Sequence, residues 1–351
     1  MEGNLEIDTL IRQNQSFAVY RLPGENQAHY IGGDHYITDS DYIYHIEKLN
    51  GFLIVPFRTS INCPFTFIKA GEEKTFDIPE VVAASEKSEI IRQAPTPKYR
   101  SRFKMFTQAI ADKVFEKLVL SYCIAIPRKA GFSPEIVFYR ACKRYIRSYV
   151  YLFHTPQTGT WMGSTPEVLL SGRENQWHTV ALAGTQPLQN GLLPKTWDAK
   201  KREEQLLVTN YIFNCLESYG IHKEVTHPYS VQAGELAHLR TDFRFSLSEI
   251  QDLGSLLFDL HPTPAVCGLP KDKARRFIYN QEGYDRQYYS GYIGKLNPEG
   301  QTDLYVNLRC MQIEDNRLLL YAGGGLLASS DLEEEWREIE DKLQTMLRII
   351  D

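Results

Sequence analysis

The segment Tyr289–Gly323, YSGYIGKLNPEGQTDLYVNLRCMQIEDNRLLLYAG, carries the pattern that decides the fold. Two turn signals, Asn297-Pro298-Glu299-Gly300 and Asp315-Asn316, separate three strand-like runs at 289–296, 302–311 and 317–323. Apolar runs joined by such turns predict an antiparallel meander. The C-terminal third of the chain is therefore expected to build antiparallel sheet.

The rest of the chain groups strands between a few long helices. Further strands are predicted at 17–22, 51–57, 117–126, 147–154, 159–163, 167–171, 177–183, 223–233 and 236–246. Helices are predicted at 99–114, 134–144, 198–218, 247–257, 271–281 and 331–349. This arrangement indicates an α+β fold with antiparallel sheets. No G-x-G-x-x-G motif leads from a strand into a helix, so a dinucleotide-binding fold is not supported.

Composition narrows the functional class. The 351 residues are 43% hydrophobic, and the length alone suggests about two domains, with 83–100 as the candidate linker. The net charge of −5, without a basic block, argues against a nucleic-acid partner. None of the six cysteines forms a C-x-x-C pair, which predicts reduced thiols in a cytoplasmic protein. A signal-peptide pattern and long apolar runs are both missing, so we expect no membrane partner.

Two residues suggest acid–base chemistry. Lys117 opens the apolar run at 117–121 and is a candidate buried base, while Glu167 follows Pro166 and is a candidate acid with a raised pKa. Together they can move two protons on opposite faces of one small substrate. The alternatives are a lysine that snorkels from the strand end and an ordinary edge-strand carboxylate.

Two glutamates on two helices, Glu204 and Glu338, form a candidate metal site. Glu335, Glu338 and Lys342 fall at i, i+3 and i+7 of the last helix, in one row beside its apolar stripe. Glu204 lies on the apolar face of helix 198–218, and a buried carboxylate needs a partner or a metal. Carboxylates of this kind suit Mg²⁺. The alternatives are a solvated Glu338–Lys342 pair, a Glu204 that complements the helix dipole, and helices that never meet.

Other residues are candidates for ligand binding. Arg309, predicted to lie in a strand, is expected to meet a carboxylate of the protein or of a ligand. Three glycines after a predicted strand let backbone amides approach an anion, with a plain turn or bulge as the alternative; they are Gly323, Gly324 and Gly325.

The strand 177–183 ends at Gly184 and Thr185, where a ligand can approach closely. Ala265 belongs to a rigid His-Pro-Thr-Pro-Ala segment that can form a pocket wall. His238 is either a ligand contact or a satisfied core histidine.

Taken in order, these motifs resemble those of the chorismate-utilising enzymes, and specifically of the isochorismate synthases. The resemblance runs from about Tyr99 to Ile350. The matching motifs are Lys-Leu-Val-Leu-Ser at 117–121, Ser-Thr-Pro-Glu at 164–167, Leu-Ala-Gly-Thr at 182–185, Glu-Gln-Leu-Leu-Val at 204–208, His-Pro-Thr-Pro-Ala at 261–265, Arg-x-x-Tyr-x-Gly at 286–291, Leu-Arg-Cys at 308–310, Ala-Gly-Gly-Gly at 322–325 and Glu-Trp-Arg-Glu at 335–338.

The resemblance implies one domain over residues 1–351, in which two antiparallel sheets pack together with helices outside and the active site lies in a cleft. Residues 1–98 would be a less typical part of the sheets, and 99–351 the catalytic core. It also implies Mg²⁺-dependent isomerisation of chorismate to isochorismate, by addition of water at C2 and loss of the C4 hydroxyl, for menaquinone or siderophore synthesis.

The resemblance assigns a role to each candidate. Lys117 would be the general base and Glu167 the general acid. Glu204 and Glu338, with Glu335 through water, would hold the Mg²⁺ that grips the ring carboxylate. The remaining residues would bind substrate: Arg309 and Tyr289 with the amides of Gly323, Gly324 and Gly325 at the pyruvyl carboxylate, Lys342 beside the metal, and Gly184, Thr185, His238 and Ala265 along the pocket.

The branch of the family is judged from two positions. Amine-using members typically lack a lysine at position 117, and aminodeoxychorismate synthases carry a lysine where this chain has Ala183, so water is the expected nucleophile. No amidotransferase subunit is then needed, and a monomer is expected. Salicylate synthase and a non-catalytic chorismate-binding protein are the alternatives. Tyr122, Gln205 and Phe245 depart from the family pattern.

Overall fold

The computed structural model describes residues 5–38, 46, 49–84, 92–247 and 253–350. The helices in this part of the chain are α1 (Ile7–Arg12), α2 (Pro97–Ala111), α3 (Pro134–Arg144), α4 (Ala199–Ser218), α5 (Leu253–Leu260), α6 (Lys271–Gln281) and α7 (Leu332–Ile350). The strands are β1 (Phe17–Arg21), β2 (Gln27–Gly32), β3 (His35–Thr38), β4 (Gly51–Val55), β5 (Phe65–Lys69), β6 (Glu72–Asp77), β7 (Lys117–Pro127), β8 (Tyr149–Thr155), β9 (Gly159–Thr165), β10 (Val168–Arg173), β11 (Gln176–Pro187), β12 (Lys223–Val225), β13 (Tyr229–Ala233), β14 (Leu236–Phe245), β15 (Gly268–Leu269), β16 (Tyr292–Leu296), β17 (Gln301–Val306), β18 (Cys310–Ile313) and β19 (Arg317–Leu326).

The strands form two antiparallel sheets. Sheet 1 has the order β15-β7-β19-β18-β9-β8-β1-β2-β6. Sheet 2 has the order β12-β14-β11-β10-β17-β16-β4-β5-β3, with β13 paired to β14. The predicted meander supplies inner strands to both sheets, because β16 and β17 lie in sheet 2 while β18 and β19 lie in sheet 1. Strands from before residue 98 extend both sheets, so the N-terminal part of the chain belongs to the same framework.

The sheets pack face to face, and large aromatic residues such as Tyr20, Phe52, Tyr149 and Trp161 fill the space between them. Helices α2, α3, α6 and α7 cover the outer face of sheet 1, and α4 and α5 cover that of sheet 2. Side chains alternate between these two environments along each strand. The layers match the predicted α+β architecture of two antiparallel sheets with helices outside.

Most predicted elements are present, and the differences have local causes. Helix α3 begins as predicted, with the Ser133 side chain accepting a hydrogen bond from the Ile136 amide. The predicted strand 223–233 is two strands, β12 and β13, which pair side by side with different parts of β14. The helix predicted at 247–257 begins at Leu253, and 248–252 lie outside the described residues. Helix α1 and strands β2, β3, β5 and β6 were not predicted.

The prediction that Arg309 lies within a strand is wrong. Strand β17 ends in sheet 2 and β18 begins in sheet 1, so the chain crosses from one sheet to the other over residues 307–309. Asn307, fully buried, fixes this crossing: its backbone N–H donates to the Gly291 carbonyl (2.8 Å), and its side-chain amide donates to the Tyr288 carbonyl (2.9 Å). Arg309 has a φ of 47°, in the left-handed region, which turns the chain at this point.

A buried ion pair holds sheet 1 to the segment before β16. The Arg286 guanidinium forms two hydrogen bonds with Glu282, of 2.6 and 2.7 Å, and both side chains are at most 2% exposed. Arg286 also donates to the carbonyls of Val266 (2.7 Å) and Val119 (2.9 Å). The amide of Ser121 donates to Glu282 at 2.7 Å. The pair therefore joins β7 to two loops beside the site described below.

Candidate active site

Lys117 begins β7 and is completely buried. Its Nζ lies 3.1 Å from Oε1 of Glu204, a buried residue in the first turns of α4. Asp198 positions this helix end, because its carboxylate accepts a hydrogen bond from the Lys201 amide. When two opposite charges are buried at this distance, removal of either one leaves the other as an uncompensated buried charge and destabilises the fold. Lys117 therefore does not reach solvent, and Glu204 is not a surface carboxylate.

The three glycines lie inside β19, paired with β7, so the prediction that they follow the strand is wrong. Their missing side chains make room for the polar groups. A Cβ on Gly325 would lie 2.1 Å from Oε1 of Glu204 and 2.7 Å from Cε of Lys117. A Cβ on Gly324 would lie 3.3 Å from Oε2 of Glu335. Gly323 makes room for the Tyr289 hydroxyl in the same way, with a Cβ–oxygen distance of 2.5 Å.

Helix α7 contributes two further buried carboxylates beside β19. Glu335 is 1% exposed and Glu338 is 9% exposed, which rules out a solvated Glu338–Lys342 pair. Lys342 donates to Oε1 of Glu338 (2.8 Å) and to the Gly323 carbonyl (2.7 Å). The helices that carry the predicted metal ligands therefore meet at this strand.

Two lysines of α4 extend the charge network. Lys200 pairs with Glu335, and Lys201 pairs with Glu338. Burial, and then the charge of Glu338, raises the pKa of Glu335. Burial would also raise the pKa of Glu338, but Lys342 and Lys201 outweigh it and hold the pKa of that carboxyl well below its usual range.

The residues fit a hard cation, although a lysine ammonium already lies among them. In the described part of the chain, no three His, Cys, Asp or Glu side chains form a compact metal cluster. The charges of Glu338, Glu204 and Glu335 all act on Lys201 and raise its pKa against the effect of burial. Lys201 thus lies where the three carboxylates attract positive charge. Carboxylate oxygens from two helices beside side-chain-free backbone are suitable donors for Mg²⁺.

Glu167 lies just before β10 and is 3% exposed. Burial raises its pKa to about 8, although the charges of Lys117, Lys342 and Arg309 oppose the rise. The Thr263 hydroxyl is 3.4 Å from Oε1, which places the His-Pro-Thr-Pro-Ala segment against this carboxyl. Glu167 is therefore largely protonated at neutral pH, as a general acid must be.

His238 and Arg309 form a buried pair. Nη2 of Arg309 donates to Nε2 of His238 at 3.0 Å, and Nδ1 of His238 lies 3.2 Å from the Gly184 carbonyl. Burial and the Arg309 charge keep the pKa of His238 well below its usual value, so the ring is neutral and carries its proton on Nδ1. Burial lowers the pKa of Arg309 to about 10, which still leaves the guanidinium charged at pH 7. The hydroxyl oxygen of Thr185 lies 3.3 Å from Nδ1 of His238.

A cavity between the sheets joins these groups. It is lined by eleven of the predicted residues: Glu167, Gly184, Thr185, Glu204, His238, Ala265, Tyr289, Arg309, Gly323, Gly325 and Lys342. Four of the predicted residues do not line the cavity: Lys117, Glu335, Glu338 and Gly324. Of these, Lys117 contacts Glu204 and Glu338 contacts Lys342, which do line it. The cavity measures about 50 Å³, which is room for a few water molecules. A ring-sized ligand therefore enters only when lining side chains move.

The sequence analysis missed Lys200, Lys201 and Thr263. The two lysines precede Glu204 by four and three residues. Because residues at these spacings lie on the same face of a helix, the sequence alone could have placed both lysines beside Glu204. Gln205, noted as a departure, is structural: it accepts from the Ala183 amide (2.9 Å) and donates to the Ala181 carbonyl (3.0 Å). The other departures, Tyr122 and Phe245, pack in the cores outside the two sheets.

Comparisons with known proteins identify the family and the fold. A family model described as "Chorismate binding enzyme" matches residues 67–351. Isochorismate synthase MenF of Escherichia coli is 30% identical over 259 residues, which are 70% of this chain and 59% of that protein. Isochorismate synthase DhbC of Bacillus subtilis is 30% identical over 279 residues, 74% of this chain and 69% of that protein. The chain thus spans less than two thirds of the length of MenF.

Solved structures share the fold. The structure of Escherichia coli MenF superposes with a TM-score of 0.80 at 20% identity, over 100% of this chain and 92% of that one. Anthranilate synthase component I of Streptococcus pneumoniae gives 0.70 at 18% identity, over 95% and 90%. No helix in the described ranges is long and apolar enough to cross a membrane. With a family model that matches most of its length and relatives of 30% identity, this chain belongs to the chorismate binding enzyme family.

Proposed function

We propose that this protein converts chorismate to isochorismate with Mg²⁺, in a menaquinone or siderophore pathway. The observation that carries the proposal is a buried lysine and a buried glutamic acid of raised pKa, both close to one cavity and beside three further carboxylates. The named isochorismate synthases among its relatives support the same reaction.

Lys117 and Glu167 act at different ring carbons of the substrate, Lys117 at C2 and Glu167 at C4. Lys117 gives up its own proton before the reaction and then takes one from the water that bonds to C2. The ring double bonds shift toward C4 as that bond forms, and Glu167 gives its proton to the C4 hydroxyl, which leaves with the C4–O bonding electrons. One water is consumed and one is released, so the reaction is an isomerisation. A buried acid and base placed in this way each contribute about 10²–10⁴-fold to the rate.

The remaining residues bind and orient the substrate. Arg309, fixed by His238, and Tyr289 hold the pyruvyl carboxylate. Strand β18 pairs with β19 only as far as Tyr321, whereas β7 pairs with the whole of β19. Backbone amides at 323–325 that point away from β7 therefore have no strand partner and are left to face the cavity. Lys342 adds positive charge beside them. Gly184, Thr185 and Ala265 line the pocket.

Glu204 and Glu338, with Glu335 through water, would hold Mg²⁺. The bound ion would supply positive charge that grips the ring carboxylate. We further infer a cytoplasmic monomer in which residues 1–351 form one catalytic domain, without a nucleic-acid or membrane partner. Ala183 at the cavity and the presence of Lys117 favour water over ammonia, so an amidotransferase subunit is not required.

The direct test is incubation of the purified protein with chorismate and Mg²⁺, followed by chromatographic separation of the products. We expect isochorismate without pyruvate, and loss of turnover when EDTA removes the metal. Salicylate with pyruvate would show the elimination reaction instead. Unchanged chorismate, with saturable binding measured by calorimetry, would contradict the proposal and indicate a binding protein.

The reaction should fail at alkaline pH. Because Glu167 acts in its protonated form and burial raises its pKa to about 8 in the free protein, kcat/KM should fall about tenfold per pH unit above that pH. Initial rates at chorismate concentrations well below KM, between pH 6 and 10, measure this. The residual rate of Glu167→Gln should not show the same fall, since its amide does not titrate. A wild-type rate that stays level to pH 10 would contradict the assignment.

Lys201→Gln should tighten Mg²⁺ binding by about tenfold, because the variant removes a cation that competes for the carboxylates. Isothermal titration of the protein with Mg²⁺ measures this without turnover. Arg202→Gln is the matched control, since Arg202 is the exposed neighbour on the same helix. Equal affinities for the wild type and Lys201→Gln would show that Mg²⁺ does not bind at these glutamates.

A further inference from the structure

A second cavity lies on the outer side of sheet 2, beside α5 and α6. It measures about 340 Å³, within the range of small-molecule sites. Its walls include Phe57, Phe65, Leu257 and Tyr279, so they are mainly aromatic and aliphatic. This cavity is larger than the active-site cavity and shares none of its lining residues.

Two polar side chains in this cavity have unused hydrogen-bonding groups. Both ring nitrogens of His261 and the hydroxyl of Tyr292 are shielded from solvent and have no partner among the described residues. Tyr292 is 1% exposed, and the two rings meet edge to face with centroids 4.8 Å apart. An unsatisfied buried polar group is costly. Three such atoms at one cavity indicate a ligand that hydrogen-bonds to them.

The charge at the cavity is positive. Arg58 and Arg275 are its ionised lining residues, and no lining residue is acidic. Arg58 lies over the ring of Tyr279 at 4.7 Å, so its guanidinium is placed beside an aromatic wall. Asp272 is an acidic neighbour of Arg275, but the distance between Nη2 and Oδ1 is 3.9 Å, too long for a hydrogen bond. Burial and the nearby charges of Lys271 and Arg275 lower the pKa of His261 to about 3, so its ring is neutral and adds one donor and one acceptor.

We propose that this cavity is a second binding site, for a monocyclic aromatic carboxylate with a hydroxyl group opposite the acid. Arg58 and Arg275 bind the carboxylate, since a guanidinium matches it with paired hydrogen bonds. The ring packs against Phe57, Phe65 and Tyr279. The hydroxyl reaches His261 and Tyr292 when these rings turn toward the cavity, which gives their buried polar atoms the partner that they lack in the described part of the chain.

The site is connected to the active site through one short segment. His261 precedes Thr263, which contacts Glu167, and Ala265 and Val266 line the active-site cavity. Backbone hydrogen bonds from Val266 and Cys267 to the Thr263 carbonyl keep this segment compact. The two cavities therefore share one wall segment, residues 261–266.

The test is isothermal titration of the full chain with 4-hydroxybenzoate, and with benzoate as the probe without a hydroxyl. We expect saturable binding of 4-hydroxybenzoate and about tenfold weaker binding of benzoate. Arg275→Gln should weaken both probes about tenfold, while Arg276→Gln, an exposed neighbour outside the cavity, should weaken neither. Tyr292→Phe should weaken 4-hydroxybenzoate but not benzoate.

Two results would overturn the proposal. One is the absence of saturable binding. The other is binding that survives Arg275→Gln and Tyr292→Phe but is lost in an Arg309 variant, which would place the probe in the active site. Stability gives an independent check: without a probe, Tyr292→Phe should raise the denaturation midpoint, because it removes an unpartnered buried hydroxyl. A lower midpoint would mean that this hydroxyl already has a partner. None of these readouts depends on turnover of chorismate.

Discussion

Lys117→Ala is expected to lower kcat by about 10²–10⁴, the usual contribution of a positioned general base. The structure makes this residue hard to replace, because Lys117 is fully buried and Glu204 is its ion-pair partner at 3.1 Å. Water cannot occupy the place of the amine without leaving that carboxylate unpaired. Turnover at saturating chorismate and Mg²⁺ measures the loss, with KM recorded separately.

Two further variants separate catalysis from folding. Lys117→Met keeps the length of the side chain but leaves Glu204 as an uncompensated buried charge, so it should also reduce stability. The double variant Lys117→Met/Glu204→Gln removes both charges and should recover much of that stability while remaining inactive. Full turnover by Lys117→Ala would show that the assigned mechanism is wrong.

Arg286→Met is expected to reduce the free energy of unfolding by about 3–5 kcal/mol, because it leaves the Glu282 carboxylate buried without its partner. It also removes donors from the carbonyls of Val119 and Val266, which line the active-site cavity. Denaturant titration monitored by circular dichroism measures the change. We expect loss of turnover at temperatures where the variant is still mostly folded, since two walls of the cavity lose their common support.

Two variants serve as controls for Arg286→Met. Arg317 pairs with Glu314 in the hairpin before β19, but its side chain is 52% exposed, so Arg317→Met should hardly move the midpoint. Arg286→Met/Glu282→Gln should be more stable than the single variant. If Arg286→Met unfolds at the same denaturant concentration as the wild type, the pair does not hold this region together.

The sequence predicted the burial of the candidate site residues better than it predicted their contacts. Glu204 and the row of Glu335 and Glu338 were placed correctly because helical periodicity shows which face a residue occupies. Periodicity within one helix does not show that α4 and α7 approach the same strand, so Lys200 and Lys201 were not recognised as partners of those carboxylates.

The wrong predictions fall where tertiary structure overrides local pattern. Arg309 stands in an apolar run that reads as one strand, but a crossing between sheets depends on the buried Asn307, whose partners at 288 and 291 come from another segment. The glycines at 323–325 have the composition of a turn, yet pairing with β7 keeps them in the strand. Strand β6 was missed because much of it is exposed and polar.

The position of the meander within the two sheets has a consequence for biosynthesis. Strands β16 and β17 are the link between β10 and β4 in sheet 2, and β18 and β19 are the link between β9 and β7 in sheet 1. The ribosome makes these four strands after all the strands that they join, so neither sheet can become continuous until the chain has been synthesised as far as residue 326. Until then, unpaired strand edges remain available to other chains. Nascent polypeptides that stop before residue 326 should therefore be strong clients of chaperones and proteases, whatever the stability of the finished enzyme.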